Sequence, residues 1–477
     1  VLSLRLGLQD IGTAVEPGDR EVSWGRSVLR PFGSRHIQVS VRATQAGTAI
    51  WIGEARDPWG NDDATPEDFY RGFRDHAGVA ILLNPNAGQA QLVRTTAGSF
   101  PLFVTSQDGI LTASWRFEEV VQAIADPRPN IEACRRQLEH GLSRVRSQII
   151  ADMFMLWPGE SVAFGEDGLR FRDADPIAIV LPTNMSDAAR ATDAFIDLIA
   201  DVIRPSVEHS EHPLIEVSGG LDSACVAVAA SRLGRKIESY GVIHDGAAGV
   251  QQRRRRAELV SLLGLDDHEA PSFLHTPFAS LAEQQCRWTP YDCPYRIPCV
   301  RAIESIGNDA IDMALTGIGG DELTMTNTYV HEDWELEGLV SVSAIVAAVG
   351  RADMFMRLGI WPVSPLVHPT IVDFCRALPR SIRYKRLLNL LALARAGLSD
   401  GFILPRLHEN FANCIIRETW MIDFDEMFSD SPIADFGIAR VDALLNSVRN
   451  LETPPPIELV GKLFAYRQLD GVLKTYL

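Results

Sequence analysis

No apolar stretch in this chain is long enough to cross a bilayer. The longest bland run, Val340–Gly350 (VSVSAIVAAVG), falls well short of the ~20 residues a spanning helix needs. No segment has the basic, apolar, small-residue order of a secretory signal, so a cytoplasmic location is expected. Positive charge is also scarce: 45 Lys and Arg stand against 62 Asp and Glu, a net charge of −17. That balance argues against nucleic acid as a partner, because phosphate contacts need an excess of cations on one face. The one basic run, Arg253–Arg256, precedes a helical pattern (AELVSLLG) and reads as a solvated helix start. Cysteines are few and scattered, at 134, 225, 286, 293, 299, 375 and 414, with no CxxC pair. Neither a zinc site nor a disulfide framework is indicated, and thiols in a reducing compartment are the simpler account. Repeats and low-complexity tracts are missing too; Pro454–Pro456 is only a short stiff connector.

What is present is an ordinary globular composition, 46% hydrophobic and 22% charged over 477 residues, enough for two or three domains. The pattern changes near residue 180. Before it, short alternating runs with Gly, Asn and Asp in the breaks read as strands: HIQVSVRA, TAIWIGEA, GVAILLN, AQLVRTT, PLFVTS and GILTAS. After it, SDAARATDAFIDLIADVI has a Ser186 N-cap and apolar Phe195, Leu198, Ile199 and Val202 at helical spacing. A strand (214–217), a helix, a strand (237–242) and a helix (257–263) follow, which predicts a parallel sheet with crossover helices. From about Ala344 onward the chain reads as mostly helical.

The sharpest feature is LIEVSGGLDSACVAVAA, residues 214–230. In a parallel sheet, ligands sit beyond the carboxyl ends of the strands. Gly219 and Gly220 let backbone amides approach an anion, and the N-terminus of the next helix adds its dipole. Ser218 and Ser223 offer hydroxyls, while Asp222 would repel phosphate directly and is suited to holding Mg²⁺ between phosphates. A second loop, ALTGIGGDE (314–322), again places an acidic pair after an apolar run and a Gly-rich turn. Together the loops would set Asp222 and Asp321 on opposite sides of one Mg²⁺–triphosphate.

SGGLDS resembles the pyrophosphate loop of ATP pyrophosphatases, which cleave ATP between its α and β phosphates. Over nearly its whole length the chain resembles the asparagine synthetase superfamily. FRDHAGVAILL, TTAGSFPLFVTSQDGILTAS and LWPGESVAF are similar to its amidotransferase half. SGGLDS, TGIGGDE, PLVHPTIVDFCRALP, YKRLLNLL and PRLHENF are similar to its synthetase half. The resemblance implies an α+β, Ntn-type, β-rich domain over 1–180. An α/β ATP-pyrophosphatase domain would follow over 181–477, with a parallel sheet and a helical C-terminal part. It implies ATP and Mg²⁺ as cofactors, held by Ser218, Gly219, Gly220, Leu221, Asp222, Ser223, Val242, Thr316 and Gly317, with Asp222 and Asp321 on the metal. Arg406, His408 and Lys385 would supply positive charge during acyl transfer.

The departures from the family carry the finer expectation. The chain begins Val-Leu-Ser and its first cysteine is Cys134, so the expected amidotransferase half is a vestigial scaffold and the amine comes from the substrate. Ile318 stands where the family has Tyr or Glu and takes no proton. His408 stands where the family has Lys. If a base is needed, the run YVHEDWELE offers Tyr329, His331, Glu332 and Asp333. This pattern is similar to lasso peptide cyclases, and also to β-lactam and carbapenam synthetases. The first implies a precursor peptide as substrate, a leader peptidase and leader-binding protein as partners, and no membrane. A degenerate homologue that binds peptide or nucleotide without turnover is the reading from another class.

Overall fold

A computed structural model describes residues 2–18, 21–54, 75–141, 144–174, 187–272, 289–293, 295–307, 310–324, 342–407, 409, 416, 419, 422–449 and 456–477. The N-terminal part is built of antiparallel strands: Ser3–Gly7 (β1), Glu16–Pro17 (β2), Val22–Trp24 (β3), Ser27–Arg30 (β4), Ile37–Thr44 (β5), Gly47–Glu54 (β6) and Gly78–Asn84 (β7). Gln89–Arg94 (β8), Phe103–Gln107 (β9), Ile110–Ser114 (β10), Phe154–Met155 (β11), Ser161–Gly165 (β12) and Gly168–Arg172 (β13) complete it. They form a sheet of order β11-β9-β10-β1-β4-β3-β2 and another of order β13-β12-β8-β7-β6-β5. The period of two in the sequence has its physical counterpart here. Ile50, Ile52, Val79 and Ile81 face the core shared by both sheets, while Ala49, Trp51, Ala80 and Leu82 form a separate cluster on the other face.

The C-terminal part holds a parallel sheet of Pro213–Glu216 (β14), Glu238–Ile243 (β15), Asp266–Pro271 (β16), Met313–Leu315 (β17) and Trp361–Val363 (β18), ordered β16-β15-β14-β17-β18. Both faces are covered. Ile215, Val217, Met313 and Leu315 join the core containing the helices Ala188–His209 and Leu221–Ser231. Leu214, Tyr240 and Ala314 pack with Cys299, Ile303, Met354 and Phe355 of the helices Arg296–Ser305 and Val342–Arg357. From β14 the chain builds outward to β15 and β16, then returns to lay β17 and β18 on the other side. The order therefore reverses between β14 and β17. None of the described helices is long and apolar enough to cross a membrane.

Two local expectations are corrected. The cap of the helix Ala188–His209 is Asp187, whose carboxylate accepts from the amides of Ala189 (2.9 Å) and Arg190 (3.4 Å); Ser186 lies outside the described residues. Arg253–Arg256 sits inside the helix Gly246–Leu263, and helix phase turns Arg255 and Arg256 into the core while Arg253 and Arg254 stay exposed. From Val342 onward the described elements are mostly helical, as expected, with the short strand β18 among them.

The two parts meet along packed seams. Trp361 of β18 joins Phe32, Phe100 and Trp115 from connections of the antiparallel part, with ring centroids 4.6–6.3 Å apart. Elsewhere Arg357 donates to both Glu118 oxygens (2.8 and 3.0 Å) and to Asp353 (2.7 Å). At the amino end of the parallel sheet, Asp312 accepts from Ser210 and from the Glu211 amide, and lies 3.6 Å from buried His36.

Burial, with some help from His209, pushes the His36 imidazole down to about 4 against the pull of Asp312. An unfolded histidine takes its proton near pH 6.5. Between these values the unfolded chain holds more protons, so acidification from pH 6.5 to 4 is expected to remove stability on the order of 3 kcal/mol through this residue. Comparing the pH dependence of urea unfolding in His36→Gln and the parent checks it: the variant should show a shallower slope in that window.

Candidate functional site

The loops after β14 and β17 lie side by side because these strands are neighbours, with Leu214 opposite Ala314 and Ile215 opposite Leu315. They flank the point where the strand order reverses, which is where open α/β sheets bind ligands. The contact between them is through glycine. A Cβ on Gly320 would overlap the Asp222 carboxyl group, and one on Gly317 would overlap the Ser223 amide.

Within the first loop Gly219 takes φ +83, and Gly220 is the N-cap of the helix Leu221–Ser231 with no side chain capping it. The first amides of that helix are therefore open toward the loop. Ser218 Oγ accepts from the Gly220 amide (3.1 Å) and touches Ser223 Oγ (3.1 Å). The two hydroxyls expected to face phosphate thus hold the loop in shape. The helix itself is buried on nearly every side, which explains its Ala/Val-rich, weakly amphipathic sequence.

Asp222 and Asp321 are brought together by a residue that sequence reasoning missed. Arg386 Nη2 pairs with both carboxylates, and Asn389 Nδ2 donates to Asp222 Oδ1 at 2.5 Å. Burial pushes the Asp222 carboxyl up to about 7, with Asp321 and Glu322 adding repulsion and Arg386 opposing. Oδ1 of Asn389, a residue only 1% exposed, has no partner among the described residues. Two carboxylates and an unsatisfied amide oxygen are the hard oxygen donors that a divalent ion such as Mg²⁺ takes.

Val242, Thr316, Ile318, Lys385 and Arg406 have partners of their own. Val242 closes the far side of the loop: its carbonyl accepts from Gln252 Nε2 (2.9 Å), which also reaches the Ser218 carbonyl (2.7 Å). Thr316 is fully buried, its hydroxyl against Ser364 Oγ (2.8 Å), so only its backbone lines the second loop. Ile318 packs with Ala344, Ala348 and Val367. Lys385 adjoins Arg386 with its Nζ 5.4 Å from the Tyr384 ring centre. Arg406 is exposed, its amide held by Gln251 Oε1 (2.9 Å). His408, Tyr329, His331, Glu332 and Asp333 lie outside the described residues.

Neighbouring residues of one helix thus hold two parts of the site. Gln252 fastens the Ser218 loop, while Gln251 and Arg255 fasten the segment carrying Arg406. Arg255 donates to the Phe402 carbonyl (2.8 Å) and to Glu409 (2.6 Å). The only signal for this in the sequence is QQRRRR itself, a polar run whose helix phase turns Gln252, Arg255 and Arg256 inward.

Residues 197–353 match the asparagine synthase family model. The match supports ATP-dependent ligase chemistry that forms carbon–nitrogen bonds. No curated protein matches the chain. Among solved structures, an NMN synthetase from Francisella tularensis aligns with a TM-score of 0.28 at 14% identity, covering 58% of this chain and 93% of that one. An NH3-dependent NAD synthetase from Campylobacter jejuni aligns with a TM-score of 0.27 at 13% identity, covering 59% and 93%. A glutamine phosphoribosylpyrophosphate amidotransferase from B. subtilis aligns with a TM-score of 0.23 at 10% identity, covering 57% and 81%.

Proposed function

We propose that this protein is an AMP-forming ligase that closes a macrolactam, a lasso peptide cyclase joining the N-terminal amine of a precursor peptide to an Asp or Glu side chain. The observation that carries the ligase reading is the pair of glycine-rich loops at the strand-order reversal, with Asp222 and Asp321 meeting across one guanidinium. The first amides of the helix Leu221–Ser231 hold the β and γ phosphates of ATP. Asp222 and Asp321 hold Mg²⁺, which when bound offsets the charge on the departing pyrophosphate.

A carboxylate oxygen of the substrate attacks the α-phosphorus, and the bond from that phosphorus to the bridging oxygen breaks. The amine nitrogen then attacks the acyl carbon, the bond to AMP breaks, and one proton leaves the nitrogen for solvent. Ile318, in its apolar surroundings, takes no part in that proton transfer. A peptide α-amine, with an ordinary pKa of about 7.7–8.0, is partly neutral near pH 7 and needs little assistance. Positive charge from Lys385, Arg406 and His408 serves acyl transfer, and a leader peptidase and leader-binding protein supply the trimmed peptide.

Incubating the full chain with ATP, Mg²⁺ and a panel of precursor peptides tests this. AMP and pyrophosphate are expected in equal amounts, with a peptide product lighter by one water, for the cognate peptide alone. Release of ADP would overturn the ligase reading. AMP formation with free aspartate and glutamine, and none with any peptide, would replace the cyclase by an asparagine-forming enzyme.

A further inference from the structure

Arg386 is a built feature of the site. Its side chain reaches Asp222 on the first loop and Asp321 on the second, the latter at 2.5 Å. Its backbone amide donates to the Thr324 carbonyl (2.9 Å), at the end of the turn that carries Asp321. Lys385 and Arg386 both take left-handed backbone angles, φ 51 and 61, which residues with side chains rarely adopt singly and almost never in succession. Such strain persists where the surroundings hold it, and it collects at functional sites. Arg386 Nε is buried and has no partner among the described residues. The guanidinium therefore has one nitrogen, Nη2, committed to the two carboxylates and an Nε–H without a partner among the described residues.

We propose that Arg386 is a resident counter-ion that competes with the divalent cation for Asp222 and Asp321, and that it turns to the phosphates when the cation arrives with the nucleotide. This rests on the reading of those two carboxylates as metal ligands. A guanidinium and a divalent cation cannot share the same carboxylate oxygens, because the two positive charges repel at the separation this would impose. The cation alone must displace Arg386 and leave it without an anion. The cation with its nucleotide brings phosphate oxygens, which the planar guanidinium fork accepts well. Metal and nucleotide binding are thereby coupled: each makes room for the other.

Mn²⁺ binding, followed by loss of the free-ion EPR signal with and without α,β-methylene-ATP, tests the proposal. Arg386→Gln is expected to bind Mn²⁺ alone about tenfold more tightly than the parent, and to lose about tenfold of the tightening that the analogue provides. A folded Arg386→Gln, by circular dichroism and melting, that binds Mn²⁺ alone no more tightly than the parent overturns the proposal. Should Arg386→Gln not fold, Arg386→Lys decides. It keeps the charge but lacks the fork, so it should retain the weak nucleotide-free affinity and lose about tenfold of the analogue's tightening; unchanged tightening overturns the proposal. Asp222→Asn separates the two levels. If it binds Mn²⁺ as the parent does, the metal-ligand reading itself fails, whereas loss of Mn²⁺ binding in Asp222→Asn beside unaltered binding in Arg386→Gln defeats only the role of Arg386.

Discussion

Asp222→Asn is expected to lower release of AMP and pyrophosphate by roughly 10³-fold while leaving the protein folded. Asp222 stands in the first turn of the helix Leu221–Ser231, rests against Gly320 of the second loop, and shares Arg386 with Asp321. Both loops and Arg386 meet at this one carboxylate. Asparagine preserves its shape, and its Oδ1 still accepts from Asn389. What disappears is the charge, which burial already disfavours, and the acceptor facing Arg386, which keeps Asp321. Activity is therefore lost without a comparable loss of stability, as expected for a group placed at the expense of the fold. Phosphorus NMR of the nucleotide products, paired with a melting curve, checks both halves. Turnover within tenfold of the parent would remove Asp222 from the metal site.

The second large effect is on stability. Arg357→Met is expected to cost about 3–5 kcal/mol in urea unfolding, because it takes from Glu118 and Asp353, two carboxylates only 5% and 7% exposed, the guanidinium that pairs with both. Burial alone would raise the Glu118 carboxyl, but the hydrogen bonds and charge of Arg357 hold it below its ordinary value. In the variant burial weighs more heavily on both carboxylates, with the charge of Arg116 still opposing it, and favours their protonated forms. The folded variant then holds more protons than its unfolded chain, so its deficit should shrink as the pH falls toward 5. The double variant Glu118→Gln/Arg357→Met should cost less than the sum of the two single changes. A deficit under 1 kcal/mol, or one that grows on acidification, would show that the cluster does not bind the two parts of the chain together.

Much of the architecture was legible where local chemistry decides it. The alternating runs of the first 180 residues became antiparallel strands because the period of two puts Ile50 and Ile52 on one face and Ala49 and Trp51 on the other. SGGLDS was legible because a strand, paired glycines and a helix start are contiguous. That β14 and β17 are neighbours was an expectation drawn from the loops alone, since parallel pairing leaves no mark in a spacing of about a hundred residues. Arg386 was out of reach for the same reason. Its partners are 164 and 65 positions away in the chain, and its left-handed backbone, with its amide on the Thr324 carbonyl, has no signal in the local sequence. The four consecutive arginines misled because charge suggests water, whereas helix phase takes Arg255 to Glu409 and Arg256 to Asp267. Strand β18 is three residues long and contains proline, so nothing local announces it.

Trp361 gives that short strand a wider meaning. It stands on the edge of the parallel sheet, and its ring lies among Phe32, Phe100 and Trp115, each at most 6% exposed. Removing the antiparallel half would bare the Trp361 ring and leave the outermost strand of the parallel sheet unshielded. A chain cut at this junction is therefore expected to associate through the bared indole, so the aromatic quartet ties the two parts into one product.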